Sequence, residues 1–171
     1  MPLTTRAVLA GLTQTLKALD AILDKAVAQA AERKIDPAVL LAARLSPDML
    51  PFTRQIQLAC DFAKNVTARL AGGDNPKFPD EEKTVEELKL RIANVLAFVA
   101  AADDAALDAG LDRDVTFPRG PSATVTMRGV DYLTRFALPN FYFHAATAYD
   151  ILRENGIQIG KSDFLKGVFD A

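Results

Sequence analysis

From about Thr4 to Ala31, apolar residues recur at spacings of three and four, as Val8, Leu12, Leu16, Leu19, Leu23, Ala26 and Ala30. That period predicts a long amphipathic helix with Arg6, Lys17, Asp20, Asp24 and Lys25 turned mostly outward. Asp36 followed by Pro37 pairs an N-cap with proline at the first helical position, so a short helix is expected before Arg44. Ser46, Pro47 and Asp48 repeat the signal, and the stripe Phe52, Ile56, Ala59, Ala63, Val66, Leu70 carries a second long helix to Gly72 and Gly73. Pro51 implies either a one-turn prelude or a kink at its start. After a linker rich in helix breakers, Thr84 to Glu87 reads as a capping box. The third helix then follows on Leu88, Ile92, Val95, Leu96 and Val99 and fades near Asp103 and Asp104.

The period then changes to two. Val115 and Phe117 alternate with polar residues, and Val125 and Met127 do so after a turn around Pro118 to Ser122. A β-hairpin is expected, laid by its apolar face across one end of the helices, because two strands alone are only marginally stable. The last long helix should run from Gly129 to Asn155, with Gly156 as its left-handed cap. Phe136 to Tyr149 holds no formally charged side chain, which predicts a helix surrounded by other elements. The tail from Ile157 to Ala171 should wrap the outside. The expected fold is all-α: one domain over residues 1–171, a four-helix bundle with a short extra helix and one β-hairpin between helices 3 and 4.

Composition narrows the function classes more than it names one. Half the chain is apolar and 171 residues suffice for a sizeable core without staples. Twenty basic and twenty-two acidic residues are interspersed, which argues against nucleic acid or an anionic membrane as partner. No run is apolar enough to span a bilayer and no leader is apparent, so a cytoplasmic protein is expected.

The candidate chemistry gathers on the last helix. Asn140, His144 and Thr147 fall along one line of it, inside a stretch that also holds Pro139, Phe141, Tyr142 and Phe143. The only histidine of the chain can serve as base, ligand or hydrogen-bonded core residue, and an amide can orient it. Gln55 and Asp48, at the start of the second helix, are expected to face this line. The candidate pocket is therefore His144, Asn140, Gln55, Asp48, Tyr142 and Thr147, with no catalytic assignment. One histidine and one cysteine rule out a zinc site of the His/Cys kind within one chain, and no Glu-x-x-His pairs mark a di-iron bundle. Cys60 shares a partly polar side of its helix with Thr53, Gln57 and Lys64, which suggests access to solvent. Gly156 to Ser162 mimics a phosphate loop but has the wrong spacing and follows a helix.

Leu138 to His144, Thr147 to Gly156, Gly160 to Phe164, and the earlier Asp36-Pro37, Ala43 to Met49 and Pro51 to Phe62 resemble a bacterial and fungal domain-of-unknown-function family in the DinB/YfiT-like superfamily. The resemblance spans nearly the whole chain. It implies an up-down-down-up four-helix bundle, often a homodimer, in a superfamily with metalloenzyme members. Those members hold their metal with three histidines, one on the second helix and a His-x-x-x-His pair on the fourth. Here only His144 could stand in that set, since residues 140 and 148 are Asn and Ala and the second helix offers Gln55. The expectation is thus a small-molecule-binding bundle with a pocket around Asn140 and His144, and either no cofactor or a weakly held metal through His144. A metal-dependent transferase or hydrolase acting on a small thiol or xenobiotic, and a non-catalytic homodimer, are the alternatives.

Overall fold

The computed structural model describes residues 3–168. Four long helices form the bundle: α1 (Thr5–Glu32), α3 (Phe52–Ala71), α4 (Val85–Ala101) and α7 (Leu138–Glu154). Short helices lie between and after them: α2 (Pro37–Ala42), α5 (Asp104–Gly110), the single turn α6 (Gly129–Asp131) and α8 (Lys161–Phe164). Strands β1 (Asp114–Arg119) and β2 (Ala123–Arg128) pair antiparallel, with Val115 opposite Met127 and Phe117 opposite Val125. The side chains of Val115 and Phe117 are buried in the one large core, which runs from Leu9 on α1 to Ile159 in the tail.

The predicted caps of α2, of α4 and of the C-terminus of α3 are present, whereas the Ser46 signal gives no side-chain cap to α3. Thr84 accepts from Glu87 N–H while the Glu87 carboxylate accepts from Thr84 N–H. Asp36 caps α2, and Gly72 ends α3 in the left-handed conformation. Ser46 to Met49 forms the one-turn prelude before α3, Met49 N–H reaching Ser46 O at 3.0 Å. Pro51 then sits at the N-cap of α3, where its missing donor costs nothing.

Pairs of contacts fix the helix directions. Arg6, early in α1, donates to the Val99 and Ala102 carbonyls at the end of α4, while Lys89, early in α4, pairs with Asp20 and Asp24. These two helices are therefore antiparallel. Gln55 meets His144 and Arg69 meets Tyr132, so α3 opposes α7. Gln57 meets Glu82 just ahead of α4 and Asp61 meets Arg91 within it, which makes α3 and α4 parallel. The order is up, down, down, up. Two consecutive parallel helices require a crossover running back along the bundle, and the breaker-rich linker from Gly72 to Thr84 supplies it.

One expectation needs correction and two are met with added detail. The last helix runs unbroken from Gly129 to Glu154, but its middle segment Tyr132–Ala137, between α6 and α7, is π-helical. Pro139 explains the change, because it has no N–H to return and its ring crowds the preceding carbonyls of a regular α-turn. The expectation that fails is that α7 is enclosed. Helices α1 and α3 cover two of its sides, and the third exposes Phe143 (57%) and Tyr142 (39%). The third long helix fades where expected, α4 ending at Ala101, and Asp103 then caps α5, accepting from Ala106 N–H at 2.8 Å.

Candidate functional site

Helices α3 and α7 form the closest helix pair of the bundle, and their half-buried rims meet in a seam that carries His144. The geometry is set by a backbone carbonyl one turn before α3 gets under way. Gln55 is buried, and its Nε2 donates to Leu50 O at 3.0 Å. A carbonyl can only accept, so the amide is oriented and its Oε1 is the atom facing His144 Nδ1 at 2.8 Å. That oxygen also can only accept. His144 is therefore protonated on Nδ1, and in its neutral form the lone pair lies on Nε2. Among the described residues the only buried side-chain nitrogen or oxygen without a partner is Arg91 Nε, so His144 Nε2, which has no protein partner, reaches solvent.

Aromatic rings hold the imidazole. Phe62, two turns beyond Gln55 on α3, stacks on it with centroids 5.7 Å apart, and Phe143 meets it edge-on at 5.2 Å. Behind Phe62 stands Phe136 at 5.8 Å, which the π-helical segment in turn sets against Phe117 of the hairpin at 4.7 Å. Burial, then the neighbouring Arg54 charge, holds the His144 pKa below its usual value. Arg54 itself is engaged by Asp80 at 2.5 Å and by Gln57 Oε1 at 2.6 Å.

The other candidates divide. Asn140, one turn before His144, donates through Nδ2 to Phe136 O at 2.7 Å, which leaves its Oδ1 as the free end. Thr147 is buried and turns its hydroxyl back to Phe143 O at 2.7 Å. Tyr142 leans over α1, its hydroxyl 2.9 Å from where a Cβ on Gly11 would sit, on the opposite side from His144. Asp48 stays exposed in the turn before α3, where the Ser46 hydroxyl donates to it at 2.6 Å and lowers its pKa. Cys60 is fully buried (0%), contrary to the expectation of access, and burial pushes its thiol up to about 12. Its helix face lies under the crossover, a cover that the helical pattern of α3 alone does not reveal. The sequence did not single out Phe62, although its spacing of seven from Gln55 places it on the same face.

Whether a metal fits can be decided from the donors. The imidazole offers one nitrogen, Gln55 spends its oxygen on Nδ1–H, and Asn140 offers only a neutral amide oxygen. At Ala148, a full turn beyond, there is no donor. No group of three His, Cys, Asp or Glu among the described residues could hold an ion. The three-histidine site does not fit these residues. A bowl of about 810 Å³ lies elsewhere, between the crossover and α4, over Phe78, Glu82, Leu90 and Arg91.

The four helices and their up, down, down, up order define a DinB-like four-helix bundle. Residues 5–165 match the model of a domain of unknown function, DUF1993, and the chain belongs to that family. It is also similar to the crystal structure of a DinB family member protein from Shewanella denitrificans, at 41% identity and a TM-score of 0.84, over 92% of this chain and 88% of that one. No curated protein matches the sequence. No helix among the described residues is long and apolar enough to cross a membrane.

Proposed function

We propose that the protein is a small-molecule-binding bundle whose site is the seam between α3 and α7, centred on His144. The observation that supports this is a neutral imidazole locked in one tautomer by Gln55, packed against aromatic faces, with its remaining nitrogen open to solvent. A side chain kept only for core stability has no need of an outward lone pair. Fragment screening by NMR on ¹⁵N-labelled protein tests the reading. Hits should shift Gln55, Phe62 and His144 signals and lose affinity in His144→Leu, whereas hits that cluster elsewhere would sink it.

A metal-dependent transferase or hydrolase would need further donors at this place that the residues do not supply. Self-association finds support in the apolar surface beside the seam, where Phe143 is 57% and Leu50 45% exposed. Light scattering on wild type and Phe143→Glu tests it: a dimer that dissociates in the variant is expected, and a monomeric wild type would end the idea.

A further inference from the structure

The polarity of the seam goes further than its location. Two backbone carbonyls dictate it, Leu50 O by claiming Gln55 Nε2 and Phe136 O by claiming Asn140 Nδ2. Because each takes the donor end of an amide, the outward-facing atom of both chains of bonds is an acceptor: His144 Nε2 at the end of the first, Asn140 Oδ1 at the end of the second. Among the described residues neither atom has a protein partner, and neither is among the buried unpartnered atoms, so both reach solvent. They lie one helical turn apart on the same line of α7, roughly 6 Å at their Cβ atoms. The nearest cation, Arg54, is bonded to Asp80 and Gln57. Among the described residues no carboxylate touches the imidazole to hold a cationic ligand, and the walls are the rings of Phe62, Phe136 and Phe143.

Resting on the proposed small-molecule site, we infer that the seam selects uncharged, planar ligands that bring a hydrogen-bond donor, of which phenol-like hydroxy-aromatics are the fitting class, with His144 Nε2 and Asn140 Oδ1 as acceptors. An acceptor-only ligand would leave both atoms desolvated and unpaired, and a carboxylate would meet two lone pairs head-on. The aromatic walls supply contact area, and the donor supplies the choice among bodies of the same shape. Gln55 is the positioning residue, since rotating or removing its amide frees the imidazole to place its proton on Nε2 and reverse the preference.

The test compares 4-methylphenol with its O-methyl counterpart 4-methylanisole and with 4-methylbenzoate, titrated into the untagged full chain. With a single histidine in the sequence, the imidazole ¹⁵N signals belong to His144 without assignment. Expected is a phenol affinity about tenfold or more above the anisole, a Nε2 signal that moves with the phenol and not with the anisole, and loss of the difference in His144→Leu. Gln55→Leu, which removes the acceptor for Nδ1–H, should weaken the preference. Equal affinity for phenol and anisole, or tighter benzoate, overturns the inference while leaving a ligand site at His144 standing. Absence of any binding to the seam up to the probes' solubility overturns both. The wild-type ¹⁵N readout stands even if a variant fails to fold: a resting tautomer protonated on Nε2 overturns the inference by itself.

Discussion

At the scale of single residues, His144 shows how a half-buried group couples folding to pH. Its ordinary pKa is 6.5, and in the fold burial and Arg54 lower it. Between the folded and unfolded values the unfolded chain binds more protons, so stability falls as the pH drops through 6.5 toward the folded value and is fully retained above it. Chemical denaturation from pH 8 down to about pH 5 should show this slope in wild type, and His144→Gln should lack it. A slope of the same size in both would place its origin in other groups. Cys60 marks the opposite case. Its thiol stays protonated through neutral pH and fully covered, so thiol reagents should label it only at the rate of global or local opening.

At the scale of elements, the crossover is anchored around one buried guanidinium, with Arg54–Asp80 and Gln57–Glu82 beside it. The Arg91 side chain is 1% exposed and bonds Asp61 on α3, Asp80 and Glu82 on the crossover, and the Pro79 carbonyl, all within 3.0 Å. Removing one partner of such a buried set leaves the others desolvated without a counter-charge. Arg91→Ala should cost about 3 kcal/mol or more by denaturant unfolding, and Arg91→Lys should recover little of it, since an ammonium cannot fork to three carboxylates at once. A loss of under about 1 kcal/mol in the alanine variant would show that the crossover is held elsewhere. The hairpin is tied down by backbone rather than charge. A Cβ on Gly129 would lie 2.0 Å from Gly110 O, and one on Gly110 would lie 2.1 Å from Leu70 O. Gly129→Ala should therefore destabilise by about 2 kcal/mol and loosen the β1–β2 amides in hydrogen exchange.

Periodicity made the four long helices, their caps and the hairpin legible, because each buries a continuous stripe and each stripe repeats in sequence. What it could not convey is contact between stripes. The exposure of Phe143 depends on which sides of α7 its neighbours leave open, and the burial of Cys60 on a linker that carries no helical period. The π-helical turn was half visible through Pro139, and the knot of Gly110 and Gly129 was not visible at all, since a glycine reads as a breaker until its neighbour is known. At the candidate site, His144, Asn140 and Gln55 could be named from the chain, yet the tautomer depends on the Leu50 carbonyl, which has no signature in residue type.

The whole molecule rests on a parallel α3–α4 pair, and that topology makes demands on the linker that length alone can test. From the end of α3 at Ala71, the chain must return to the level of Gln57, where Glu82 docks. At about 1.5 Å per helical residue that is roughly 21 Å of bundle. Deleting Gly73 to Asp80 leaves too few extended residues, at about 3.4 Å each, to cover it once the turns at both ends are made. That variant should lose the wild-type bundle, by unfolding or by exchanging α4 and the elements C-terminal to it between two chains. Lengthening is a different matter. A Cβ on Gly73 meets nothing within 4 Å, so six Gly and Ser residues inserted after it can loop into solvent. The closure entropy for that change is about 0.3 kcal/mol. Melting temperature should then barely move, and the His144 ¹⁵N signals should keep their wild-type positions because the seam lies on the helix pair that the crossover does not join. A large loss on insertion would mean that the Gly72 to Lys77 path itself, and not only the Arg91 anchor, holds α3 and α4 in parallel.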